Sequence, residues 1–369
     1  MLFRSDEVYI IQTKTMTRRY RDVLPNSLAR YHKYPGFDKA PRLELDPASM
    51  QSARNLARAV PEGVWVLAGS VADMHTVQSD RPVVCCVRFT RKNAEQLRKH
   101  EKELPFRGSA LALWLEPFFP EEDALWLEEE LQYRIGMGQK VFVANNPGHF
   151  GLLKKTGAEC IISGPWLYMF NKSAGKLLLE AGAAMVIPPY EISKQNVNRI
   201  TETIPAHQVM PVVFSYPALF SIRGDLADRL ATQLVHDKEG GDYEIRSEQD
   251  RSVVIPAVPF SLVDRIPFFE KEGIKRFLVD IEYMTVKKPL YKRILQASRD
   301  AEVLQDTSRF NWKDGFWQPE EQRSKSNAQS RGAGDESEAP KFRGGTRSAG
   351  RAGRRAQESS GDSFGREGD

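Results

Sequence analysis

The chain has 369 residues, 41% hydrophobic and 10% aromatic, with a formal net charge of +4; this is a globular composition and excludes a chain disordered throughout. Three cysteines, Cys85, Cys86 and Cys160, suit neither a disulfide framework nor the four ligands of an iron–sulfur cluster, and no CxxC or paired His/Cys spacing points to zinc. No apolar run reaches the ~20 residues of a membrane span, and the start of the chain meets charge before any secretory-length apolar stretch, so no signal peptide is expected and the expected compartment is the cytoplasm.

Residues 8–13, Val-Tyr-Ile-Ile-Gln-Thr, read as a strand. Behind it lies a basic, aromatic-interleaved segment, Arg18-Arg19-Tyr20-Arg21 and then the proline-punctuated 25–41 with Arg30, His32 and Lys33. Such a segment reads either as a solvated loop or as a surface for phosphates.

From residue 64 a regular alternation begins. The apolar runs 64–68, 83–89, 110–115, 140–144, 160–162, 184–187, 211–214 and 277–281 read as strands, and the amphipathic stretches 91–103, 121–135, 148–155, 173–180, 193–203 and 267–272 as helices between them. Eight continuously apolar strands alternating with helices predict a closed, TIM-type β/α barrel. Gly240-Gly241 between two alternating runs predicts a β-hairpin at about 234–256, inserted before the last barrel strand. The expected layout is an N-terminal extension packed on the barrel (1–60), the barrel (61–310) and a disordered tail (323–369).

The tail is expected to be disordered because almost no apolar residue follows Phe316-Trp317. From Arg323 to Asp369 there are ten basic and seven acidic residues, leaving 43 and 42 before it, so the body is nearly neutral. Arg343, Arg347, Arg351, Arg354 and Arg355 stand among glycines, where guanidinium groups can reach phosphates and stack on bases. RNA is therefore the partner expected of the tail and the basic N-terminal segment.

Three stretches resemble the collagenase-like peptidase family, number thirty-two among peptidases of unknown catalytic type. They are Gly164-Pro165-Trp166-Leu167-Tyr168-Met169-Phe170-Asn171 with Gly182-Ala183 and Pro189-Tyr190-Glu191-Ile192-Ser193; Pro211-Val212-Val213-Phe214-Ser215-Tyr216-Pro217 leading to residues 254–262; and residues 272–282, ending Asp280-Ile281-Glu282. The resemblance spans roughly residues 140–297. It implies a barrel with the hairpin as a family feature, and a hydrolase of peptide substrates; other members resemble RNA-hydroxylating or ubiquinone-pathway proteins that use cysteines near the tyrosine–proline turn. Tyr216 and Pro217 stand where such a cysteine is expected, so an iron–sulfur cofactor is not.

In a β/α barrel, reactive groups gather at the C-terminal strand ends. Those ends supply Glu116, Asn145, Asn146, Ser163, Glu191, Tyr216, Asp280 and Glu282. Glu191, Asp280, Glu282 and Glu116 are the candidate acid–base carboxylates, each with a rim salt bridge as its plain alternative. Asn145, Trp166, Asn171 and Tyr216 are the candidate substrate contacts; Asn171 equally suits a helix cap, and Trp166 a core position. Cys85 and Cys86 face opposite sides of one strand and are expected to be buried and inert, and His149 to be a surface histidine near a helix start. The expected function is an RNA-associated, RNA-modifying barrel protein, with a metal- or carboxylate-dependent peptidase, or a non-catalytic scaffold, as the alternatives.

Overall fold

Helices and strands alternate from Pro47 to Asp300 in the computed structural model, which describes residues 47–80, 82–118, 121–223, 234–236, 241–248 and 251–308. The expected strand at 8–13, the basic segment behind it and the arginines from Arg343 to Arg355 lie outside the described residues. Helix α1 (Pro47–Ala59) leads to β1 (Gly63–Ala68), α2 (Val71–Val77), β2 (Val84–Phe89), α3 (Arg91–Lys99), β3 (Leu111–Leu115), α4 (Ala124–Gly136), β4 (Val141–Ala144), α5 (Pro147–Thr156), β5 (Cys160–Ser163), α6 (Lys172–Glu180), β6 (Ala183–Val186), α7 (Lys194–Thr201) and β7 (Val212–Ser215). After an insertion come β12 (Phe260–Ser261), α8 (Ile266–Lys271), β13 (Arg276–Asp280) and α9 (Lys288–Asp300).

Local chemistry starts these helices. Ser70, Thr90, Asn146, Asn171 and Ser193 are N-caps whose side chains accept a backbone N–H from the first turn, satisfying a donor with no partner inside the helix. The expected helix at 91–103 stops at Lys99 and continues as a separate 3₁₀ turn, Glu101–Glu103, because His100 leaves helical geometry at ψ 18°.

Eight parallel strands run in the order β7-β13-β1-β2-β3-β4-β5-β6, with the short β12 antiparallel on β7. The ring closes between β6 and β7 through a parallel bridge, Val186 to Val209, and the Met210 N–H donates to the Val186 carbonyl at 3.0 Å. Every residue of β2 to β7 is buried, as it must be in a sheet filled on the inside and covered by helices outside. The eight predicted strands are the eight barrel strands, each within a residue at either end.

Arg276 sits near the N-terminal end of the barrel, 1% exposed. Its guanidinium donates to the carbonyls of Ala57 (2.8 Å), Val60 (2.5 Å), Pro61 (3.2 Å) and His207 (2.7 Å). The end of α1 is thereby tied to the start of β13, and α1 also packs on β6 and α6.

The insertion is larger than the predicted hairpin. Strands β8 (Phe220–Arg223), β9 (Val235–His236), β10 (Asp242–Glu248) and β11 (Arg251–Pro256) form an antiparallel sheet in the order β8-β11-β10-β9. Strands β9 and β10 do pair antiparallel as a hairpin requires, with His236 opposite Asp242. Val253 and Ile255 of β11 pack with Tyr283 beyond the end of β13, next to Trp166 and Tyr216. This places the insertion at the mouth of the barrel.

Candidate active site

A single guanidinium organises the mouth. Arg88, the one charged residue in the run Val84–Phe89, is 6% exposed. It grips Glu116 with Nε (2.8 Å) and Nη2 (2.9 Å), Glu248 with Nη1 (2.5 Å) and Nη2 (2.8 Å), and Glu282 with Nε at 2.8 Å. Arg251 completes the cluster, pairing with Glu116 and reaching Glu248 at 2.9 Å. Glu248 and Arg251 belong to the insertion, whereas Arg88 and Glu116 belong to the barrel, so these pairs fasten the small sheet to the mouth.

Asp280 lies beside this cluster. Its Oδ2 accepts from Ser215 Oγ at 2.6 Å and from Tyr190 Oη at 3.1 Å, and its Oδ1 accepts the Glu282 N–H at 2.9 Å. A side chain at position 69 would collide with the Glu282 carbonyl, 2.3 Å from where its Cβ would stand. Glycine there lets the β1 loop press on the peptide that aims Glu282.

The cluster is acidic on balance, with four carboxylates against two guanidiniums, and the cost of burying charge falls on the carboxylates with the weakest pairing. Burial would raise Glu116, but Arg88 and Arg251 outweigh it and hold the group down at about 2. Burial pushes Glu282 up to about 8, with Arg88 opposing and Asp280, Glu116 and Glu248 adding to the rise. Burial also lifts Asp280 to about 6 against the hydrogen bonds from Ser215, Glu282 and Tyr190. Tyr190 is raised well above the ordinary phenol by burial and by Asp280 and Glu282, so it keeps its proton. Two neighbouring carboxyls both raised by burial are the raw material of acid–base chemistry.

Tyr190 also lines a cavity of about 470 Å³ between the loops after β5 and β6 and the inserted sheet. Trp166, Tyr168, Glu191, Phe220 and Tyr243 line it as well. Tyr190 thus belongs both to the cavity wall and, through its hydroxyl, to the hydrogen bonds of Asp280.

The predicted carboxylates are sorted by this arrangement. Glu116, Asp280 and Glu282 come together, and Glu116 is held ionised between two arginines, which ties the barrel to the insertion. Glu191 lines the cavity. Trp166 lines the cavity and Tyr216 packs beside it. Asn171 caps α6, its Oδ1 accepting the Ala174 N–H at 2.9 Å. Asn145 is 2% exposed and donates to the Leu115 carbonyl at 2.8 Å, which ties β4 to β3. His149 is fully buried rather than on the surface; its Nδ1 accepts the Asn145 N–H at 3.2 Å, and burial lowers it to about 4, so the ring is a neutral acceptor.

Cys85 and Cys86 are buried, and desolvation raises both thiols. Among the described residues, no cluster of three or more His, Cys, Asp or Glu is arranged to hold a metal ion, and no helix is long and apolar enough to cross a membrane. Arg88, Glu248, Arg251, Tyr190 and Ser215 were not singled out from the sequence. Arg88 offered a signal there, as a charge at the C-terminal end of a fully apolar strand.

No family model and no curated protein matches the chain. Among solved structures it is similar to a protein assigned to copper homeostasis, CutC of Streptococcus agalactiae, at 9% identity and a TM-score of 0.36 over 59% of this chain and 98% of that one. It is also similar to 2,3-dimethylmalate lyase, of the PEP mutase/isocitrate lyase superfamily, at 9% identity and a TM-score of 0.35 over 76% and 99% of the two chains.

Proposed function

We propose that this chain is an acid–base enzyme in which Asp280 is the base, Glu282 the proton donor, and the cavity lined by Trp166 and Tyr190 the place where substrate sits. The observation that supports this most is Tyr190, which lines the cavity and whose hydroxyl donates to Asp280 Oδ2 at 3.1 Å. Burial raises both carboxyls above the ordinary carboxylate range, so the pair can hold and release a proton near neutral pH. The resemblance to the collagenase-like peptidases favours attack by water on an acyl group as the reaction. The acidic balance of the mouth disfavours a phosphodiester there.

The test compares the full chain with Asp280→Asn and Glu282→Gln on gelatin, unfolded peptides and a panel of small esters, with and without divalent metals. Hydrolysis that falls by about 10²-fold or more in both variants is expected. Hydrolysis unchanged in either variant, or absent from every substrate class, sinks the reading.

A second reading concerns the partner rather than the reaction. The arginines at 343, 347, 351, 354 and 355 among glycines support contact with RNA phosphates and bases. Deleting residues 323–369 should weaken RNA retention and flatten its salt dependence; an unchanged slope removes this role.

A further inference from the structure

Arg88 shares its hydrogen bonds unevenly among the three carboxylates around it. Glu116 takes Nε at 2.8 Å and Nη2 at 2.9 Å, and Glu248 takes Nη1 at 2.5 Å and Nη2 at 2.8 Å. Each is a bidentate fork, the strong form of guanidinium–carboxylate pairing. Glu282 approaches Nε to 2.8 Å, but the Nε hydrogen is donated to Glu116. Glu282 therefore meets the cation as a charge, without a share of either fork.

The two forks come from different parts of the molecule. Glu116 follows β3 of the barrel, whereas Glu248 ends β10 of the insertion, opposite Arg251 in register and 2.9 Å from its guanidinium. Seating the inserted sheet brings Glu248 to the outer edge of Arg88. It also brings Arg251, but that guanidinium is taken up by Glu116 and Glu248. Glu282 gains a negative neighbour and no donor.

The Glu282 side chain is 6% exposed against 24% for Glu248, so solvent relieves the crowding least at Glu282, and a buried carboxyl in that position keeps its proton. The groups facing it agree. Burial raises its proton affinity most, Arg88 opposes, and Asp280, Glu116 and Glu248 add to the rise. Tyr190 and Tyr283 face it as well, and burial raises both well above the ordinary phenol, so they stay neutral.

We propose that Glu248 is a positioning residue for the proton donor: by holding the outer edge of Arg88 when the inserted sheet is seated, it keeps the proton on Glu282. The inference rests on the reading that Glu282 is that donor, and it names what keeps the donor loaded. The coupling is reciprocal. When Glu282 ionises, Arg88 has a third carboxylate to neutralise, and Glu248, the most exposed of the three, is the one released, which loosens the sheet.

Infrared difference titration of the full chain reads this proton, with Glu282→Gln identifying the carboxylic acid band. In Glu248→Gln and Glu248→Ala, each checked for folding by circular dichroism, the band should vanish at a pH on the order of one unit lower than in the wild type. Glu248→Asp, which keeps the charge, should stay close to the wild type. The wild-type chain gives a second reading that needs no variant: amide exchange of β10 and β11, corrected for its intrinsic pH dependence, should quicken as pH rises through the range in which the band is lost. An unchanged midpoint in both neutral variants overturns the proposal, as does a shift just as large in Glu248→Asp or an exchange rate indifferent to the ionisation. The hydrolysis assay on Glu282→Gln reports separately on the donor reading. A moved band with hydrolysis unaffected retires the catalytic assignment and keeps Glu248 as the group that governs this proton; a fixed band with hydrolysis lost does the opposite.

Discussion

The phenolic O–H of Tyr190 donates to Asp280 across ninety positions of sequence, joining the loop after β6 to the end of β13. That bond stabilises the ionised form of Asp280. In Tyr190→Phe the carboxyl should therefore hold its proton to higher pH, and since the base works only when ionised, the acid limb of activity should move upward. A pH–rate profile of the variant checks this; a limb that stays in place shows that Asp280 does not carry it.

Stability should depend on pH with opposite signs above and below about pH 4.5. Glu282 binds its proton more tightly folded than unfolded, so its contribution is greatest below about 4.5 and declines as pH rises towards about 8. Within that window the slope approaches about 1.4 kcal/mol per pH unit for one proton. Glu116 has the reverse sign: its contribution is complete above about 4.5 and is lost as pH falls towards about 2. Urea unfolding at a series of pH values should find Glu282→Gln gaining on the wild type from pH 5 to 8, and Glu116→Gln losing the acid-side slope.

Removing the central cation should be costly. Arg88→Met leaves Glu116, Glu248 and Glu282 facing one another with Arg251 alone to pair them, and breaking a buried ionic cluster on one side costs about 3–5 kcal/mol. Thermal unfolding reads this directly. A smaller loss is expected at low pH, where the carboxyls protonate, and a loss independent of pH would show that packing rather than charge is responsible.

Asn171→Ala should cost about 1 kcal/mol through the lost cap and leave ligand affinity in the cavity unchanged. Calorimetry alongside denaturation separates the two effects.

The barrel was legible because its strands are short, uniformly apolar and punctuated by capping residues such as Thr90, Asn146 and Ser193, signals that are local in sequence. Asp280 and Glu282 could be placed at the mouth because strand ends are predictable once strands are. What could not be read was which carboxylate pairs with which arginine, since Arg88 meets Glu248 across 160 positions and nothing local announces it. The same limit hid the roles of Glu116 and Glu191. Both stand at strand ends, and only the long-range pairing of Glu116 with Arg88 and Arg251 shows that it belongs to the buried cluster. The sequence predicts only a hairpin in the insertion because the glycine pair marks one turn, while β8 joins by pairing Phe220 with Val254, a long-range register that nothing local announces.

Arg276 bears on where a self-sufficient fragment of this protein can begin. Three of the four carbonyls that neutralise its burial belong to Ala57, Val60 and Pro61, so a chain trimmed to its first strand would enclose a guanidinium stripped of most of its acceptors. The helix ahead of β1 is thus an integral part of the smallest piece that can fold, and dissection of the protein should cut upstream of Pro47 rather than at the edge of the sheet.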